Sequence, residues 1–82
     1  MTTAAGTKVK VSLSIVVPAF NEEALIEQTV EHLLRTGRQW VNDLEIIVVN
    51  DGSVDRTPEI IDQLARDRDN VRALHQRPNK GF

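Results

Sequence analysis

The stretch Glu45-Ile46-Ile47-Val48-Val49-Asn50-Asp51-Gly52-Ser53-Val54-Asp55-Arg56-Thr57 is a β-branched apolar run that ends on carboxylate, glycine and hydroxyl groups, just ahead of a helix start. Four apolar residues in a row suit a strand buried on both faces, as in a parallel sheet. The polar residues after it fall at the carboxyl end of that strand. In open α/β sheets ligands sit in that crevice, because the loops there are free to vary and helix N-termini point unpaired N–H groups into it.

A second junction of the same kind lies upstream, where Leu13-Ser14-Ile15-Val16-Val17 runs into Pro18-Ala19-Phe20-Asn21-Glu22-Glu23. The spacing predicts a first strand over 12–17, stopped by Pro18, which has no ladder donor. Asn21 is then an N-cap, with Glu22 and Glu23 in the first turn at the positive end of the helix dipole. Leu25, Ile26, Val30, Leu33 and Leu34 recur at helical spacing up to Gly37, which reads as the residue just past the helix end. Trp40 and Val41 are expected to pack under the next loop. A second strand over 44–50 leads to the Asp51-Gly52 turn. Thr57-Pro58-Glu59 opens a second helix, with Thr57 as its cap and Ile60, Ile61, Leu64 and Ala65 on its apolar face. A third strand follows over 71–75. The class is therefore α/β: a three-stranded parallel βαβαβ sheet of order 3-2-1. Right-handed crossovers, which hold in about 98% of cases, put both helices on one face. The other face is left bare although Val16, Ile47 and Val49 are apolar, and the edge of the first strand is left open. Self-association, most simply as a two-fold dimer, is the expected result.

Residues 1–10 read as a disordered leader and 11–82 as the folded part. A chain of 82 residues buries only about 60–65% of its surface, so its core is small. A net charge of -2 with both signs interspersed gives no basic stripe and argues against a nucleic-acid partner. With no cysteine there is no disulfide and no thiolate metal site, as suits a reducing compartment. No apolar run approaches the roughly 18 residues of a membrane span, and residues 1–10 contain no signal-peptide core.

Taken together, Val17-Pro18-Ala19-Phe20-Asn21-Glu22-Glu23 and Ile46-Ile47-Val48-Val49-Asn50-Asp51-Gly52-Ser53-x-Asp55-x-Thr57 resemble the opening of glycosyltransferase family 2, the inverting enzymes of GT-A fold that use nucleotide-diphosphate sugars. Asn79-Lys80-Gly81 is similar to the start of that family's third loop. The resemblance spans most of 11–82 and implies half of a GT-A Rossmann-like nucleotide-binding domain, the N-terminal fragment of a longer catalytic domain. A Rossmann dehydrogenase would need Gly-x-Gly-x-x-Gly after the first strand, and a related nucleotidyltransferase a glycine-rich first loop with a basic residue. Pro-Ala-Phe-Asn-Glu-Glu supplies neither.

The resemblance implies a nucleotide-binding set of Pro18, Phe20, Glu22, Val49, Asp51 and Lys80. On the residues alone Asp51 is open between a ligand acceptor and an Asx-turn. The resemblance implies that it contacts the nucleobase, at N3–H of uracil or the equivalent N–H of guanine. Phe20 stands where many relatives have tyrosine, which keeps the ring and loses a hydroxyl. Glu22 could accept from ribose hydroxyls or could serve the helix dipole. Asn50 departs from the Asp-Asp pair of many relatives. Lys80 and Arg77 could balance diphosphate charge or be ordinary solvated cations. Asp55 reads as a helix cap, and His32 and His75 as plain surface or packing residues.

No Asp-x-Asp metal motif and no general base is found, so no catalytic residue and no metal ligand is assigned. A divalent cation, Mg or Mn, is expected for the complete enzyme rather than for this chain, which should be inactive alone. The implied partners are a UDP- or GDP-sugar and an acceptor hydroxyl or polyprenyl phosphate. The implied location is the cytoplasm, at a membrane face in the longer protein. The alternative is a non-catalytic nucleotide-binding or self-associating module.

Overall fold

The computed structural model describes residues 9–76. The leader up to Lys8, and with it Arg77, Asn79, Lys80 and Gly81 of the expected third loop, lie outside the described residues. The elements alternate as β1 (Val9–Ala19), α1 (Ile26–Gly37), β2 (Val41–Asp51), α2 (Thr57–Asp67) and β3 (Val71–Gln76). All pairings are parallel and the order is β1-β2-β3, the predicted 3-2-1 read from the other edge.

β1 is longer than the expected 12–17 at both ends. Pro18 does not stop it: the residue stays in register with Val49, and the strand runs on to Ala19. An edge strand tolerates a residue without a ladder donor, because one of its sides has no partner to lose. β2 likewise starts early, at Val41, which is buried and paired with Val9. Trp40, expected under a loop, is instead 54% exposed in the turn before β2.

Alternate residues of β2 divide the sheet into two unlike faces. Leu44, Ile46 and Val48 are buried on the face that also carries Ile15, Val17, Ala19 and Val71. Ile26, Val30 and Leu34 of α1 and Ile61 and Leu64 of α2 close over them in one cluster, so both helices cover this face as the crossover rule requires. Ile26, Val30, Ile46, Val48 and Ile61 have no exposed surface at all. Each contributes about 1.5–3 kcal/mol by leaving water, which is how so short a chain holds a core. Gly37 is the last residue of α1 and has no positive φ, unlike the left-handed end expected of it. Its part is steric: a Cβ there would lie 2.7 Å from Leu44 Cδ2, so the absent side chain lets the helix end seat on β2. Arg68 pairs with Glu31 and ties the end of α2 to α1.

The opposite face is covered by no element among the described residues. Its first half is polar: Ser12 Oγ donates to Asp43 at 2.6 Å, Ser14 Oγ to Glu45 at 3.3 Å, and Arg72 pairs with Glu45 at 2.6 Å. Its second half, towards the strand ends, is apolar. There Val16 is 60% and Leu74 52% exposed, with Ile47 and Val49 on the strand between them and Pro18 opposite Val49.

Candidate functional site at the strand ends

Both strand-to-helix loops leave from the same edge of the sheet. The last rows align Pro18, Val49 and Leu74, then Ala19, Asn50 and His75, then Asp51 and Gln76. Asp51 is exposed at the tip of β2, with the parity of the uncovered face. Gly52 follows at φ 74, a left-handed conformation that glycine enters without a Cβ penalty.

The first loop differs from expectation. Helix α1 starts at Ile26, and Asn21 is not its cap: Asn21 sits at φ 51, in the left-handed region that asparagine tolerates better than most residues. Its side chain turns away from α1 and accepts the Val54 N–H at 2.8 Å, while its own N–H donates to Ser53 Oγ at 2.9 Å. Glu22 lies ahead of the first turn of α1, in which Glu27 is the acidic residue. The Glu22 carbonyl accepts the N–H groups of Leu25 and Ile26 at 3.0 and 2.9 Å, and its carboxylate is exposed.

The two loops are stitched into one body. Besides the Asn21 pair, Glu22 N–H donates to Thr57 Oγ1 at 2.8 Å, Glu23 N–H donates to Asp55 Oδ2 at 3.2 Å, and Arg56 N–H donates to Glu23 Oε1 at 3.4 Å. Thr57, expected as the cap of α2, is instead its first residue, fully buried, with its hydroxyl facing the other loop. Asp55, expected as a helix cap, lies one residue ahead of the N-cap position, which is Arg56 and has no side-chain cap bond; it instead accepts the Thr57 N–H at 2.9 Å in a turn leading into α2. Partial desolvation works to raise the pKa of that carboxyl. The bonds from the Thr57 hydroxyl and from the N–H groups of Thr57 and Glu23 outweigh it and hold the carboxyl below its ordinary 3.8.

Asn50 lies beneath the second loop, 5% exposed. Its Oδ1 accepts the Ser53 N–H at 2.9 Å, and its Nδ2 is 3.1 Å from His75 Nδ1. His75 is therefore more than a plain surface residue, since its Nε2 reaches Asp62 of α2 at 2.8 Å. Sequence reasoning missed this chain because it depends on the parallel register and on the return of α2, neither of which leaves a local pattern.

Of the predicted set, Pro18, Phe20, Glu22, Val49 and Asp51 are all at this edge. Phe20 is 55% exposed at the end of β1, Val49 is half-buried beside Pro18, and Lys80 lies outside the described residues. Two surface depressions, of about 530 and 720 Å³, lie along the helices, and neither is lined by any of these five. Among the described residues no three His, Cys, Asp or Glu side chains converge as metal ligands. Among them, too, no helix is long and apolar enough to cross a membrane.

Comparison with known proteins places these loops in context. The family described as glycosyl transferase family 2 matches residues 14–82. An uncharacterized glycosyltransferase of Bacillus subtilis, EpsJ, is 44% identical over 64 residues, covering 78% of this chain and 18% of that protein. A dolichyl-phosphate beta-glucosyltransferase of Trichomonas vaginalis is 39% identical over 79 residues, covering 90% of this chain and 24% of that one. An undecaprenyl-phosphate 4-deoxy-4-formamido-L-arabinose transferase of Proteus mirabilis is 33% identical over 58 residues, covering 71% of this chain and 18% of that one. The chain thus spans a quarter or less of the length of these relatives. No solved structure matches.

Proposed function

The chain belongs to glycosyl transferase family 2, and from that premise we propose that it forms the nucleotide side of a donor site for a nucleotide-diphosphate sugar in an inverting glycosyltransferase. The observation that carries this reading is the fusion of the two strand-end loops into one hydrogen-bonded body, which leaves the Asp51 carboxylate exposed beside a left-handed glycine. Asp51 accepts an N–H of the base, and Gly52 lets the backbone approach it closely. Phe20 offers its ring for stacking, Val49 and Pro18 form an apolar floor, and the Glu22 carboxylate accepts from ribose hydroxyls. Lys80 belongs to the reading as a counter-charge to the diphosphate.

In such a transfer the acceptor oxygen attacks the anomeric carbon, the bond from that carbon to the diphosphate oxygen breaks, and a base takes the acceptor's proton. No general base is identified among the described residues, so this chain alone is expected to bind without transferring. A divalent cation, Mg or Mn, is proposed for the complete protein only, and no step is assigned to it. The names of the dolichyl-phosphate and undecaprenyl-phosphate relatives support a polyprenyl phosphate as acceptor in that protein; an acceptor hydroxyl, and a place in the cytoplasm or at a membrane face, are part of the same proposal.

Calorimetry with UDP and GDP, comparing wild type with Asp51→Ala, tests the assignment. Base-dependent binding that falls at least about tenfold in the variant is expected for loss of a charge-assisted hydrogen bond. Equal binding by the two proteins would sink it. The apolar half of the uncovered face favours a second reading, a self-associating module. Sedimentation equilibrium over a concentration series should then show a dimer that Val16→Lys disperses, whereas a compact monomer throughout would remove this reading.

A further inference from the structure

Because Asn50 Oδ1 accepts the Ser53 N–H, the orientation of its amide is settled and its NH2 end faces His75 Nδ1. An NH2 group only donates, so Nδ1 must offer its lone pair, and in a neutral imidazole the proton is then on Nε2. Nε2 faces Asp62 Oδ1, which only accepts, so one tautomer satisfies both contacts. A directional chain results: Asp62 of α2, His75 of β3, Asn50 of β2, then Ser53 of the loop that carries Asp51.

We propose that His75 is a positioning residue for that loop: its neutral, Nε2-protonated form holds Asn50 in the orientation that captures the Ser53 N–H, and a proton on Nδ1 releases it. A protonated Nδ1 would set donor against donor at Asn50. Rotating the amide restores that contact but turns its NH2 towards the Ser53 N–H, so one of the two bonds is lost either way. From α2 the charged group facing the ring is Asp62, which accepts from Nε2–H in both states. From β2 the facing group is the uncharged Asn50. The tether is a property of the loop itself, and its consequence for ligands rests on the reading of Asp51 as a nucleobase acceptor. On that reading, affinity for a nucleoside diphosphate falls about three- to tenfold as His75 takes up its proton, the effect of one lost neutral hydrogen bond.

The test is nitrogen-detected NMR of the 82-residue chain over a pH series that takes the His75 ring from neutral to protonated. It follows the His75 ring nitrogens and the Ser53 amide protection factor, with UDP and GDP titrated in parallel. The Nε2–H tautomer is expected at the upper end, and Ser53 protection should fall with the same midpoint as ring protonation. His75→Gln can offer a carbonyl to Asn50 and an NH2 to Asp62 with nothing to titrate, and should keep Ser53 protected throughout. An Nδ1–H tautomer at neutral pH, or a Ser53 response unchanged in His75→Gln, would overturn the tether. Nucleotide affinity that stays constant across the His75 titration would overturn its positioning role. If tautomer and Ser53 move together while neither nucleotide binds at any pH, the tether stands and the nucleotide reading fails.

Discussion

The loop after β2 is braced from within and from below, whereas the loop after β1 borrows most of its order from its neighbour. In the second loop Asn50 holds Ser53, Asp55 holds Thr57, and the His75–Asp62 contact supports Asn50 from the adjacent strand and helix. In the first, one turn closes on the Glu22 carbonyl, and the N–H groups of Asn21, Glu22 and Glu23 all go to side chains of the second loop. Two junctions that read alike as strand, polar turn and helix are thus unequally braced, although the Val54 and Arg56 N–H groups of the second loop donate in return to Asn21 and Glu23.

The largest expected effect comes from removing the second loop's central post. Thr57→Val keeps the shape of a fully buried side chain but leaves the Glu22 N–H without its acceptor, and should destabilise by about 1–3 kcal/mol in urea unfolding. Hydrogen exchange should speed up in the first loop more than in the second. Equal loosening of both loops would break the comparison.

Asn21→Ala comes next. It loses the acceptor for Val54 N–H and places a Cβ at φ 51 without asparagine's local compensation, for an expected cost of about 1–2 kcal/mol. Asn21→Gly relieves the backbone and loses only the bond, so it should cost less than the alanine variant. A glycine variant as unstable as the alanine one would show that backbone strain is not part of the first loop's dependence.

The smallest effect is in the acid limb. Because hydrogen bonds hold the Asp55 carboxyl below its ordinary 3.8, its stabilising contribution is fully present above that value and is lost as pH falls through the lowered one. Asp55→Asn should therefore flatten the acid side of the stability profile below pH 3.8 and leave the shape above it unchanged. An unaltered acid limb would mean that the Asp55 carboxylate does not couple the loops.

Much of this was legible without coordinates. Apolar runs 15–17 and 46–49, the first followed by proline, asparagine and carboxylates and the second by asparagine, glycine and carboxylates, announce strands ending at loops. The two helical stripes contain the buried residues Ile26, Val30, Leu34, Ile61 and Leu64, while Leu25, counted in the first stripe, lies ahead of α1 and is exposed. What misled were residues whose local preference competed with a distant partner. Asn21 and Thr57 are good caps in isolation, yet each makes its bonds across the loop boundary, some thirty residues away. Pro18 breaks a central strand, yet here it lies on an edge.

Periodicity, turn chemistry and the two loop motifs therefore determined by themselves the element order, the parallel sheet, the apolar faces and the family. Those features depend on neighbours within a few residues and on a repeat that either fits a helix or a strand. Tertiary structure alone decided that the two loops are unequally braced, and that Asn50, His75 and Asp62 line up beneath the second. Parallel register and helix return bring together groups far apart in the chain, and hydrogen bonds form only where that placement is good to a few tenths of an ångström.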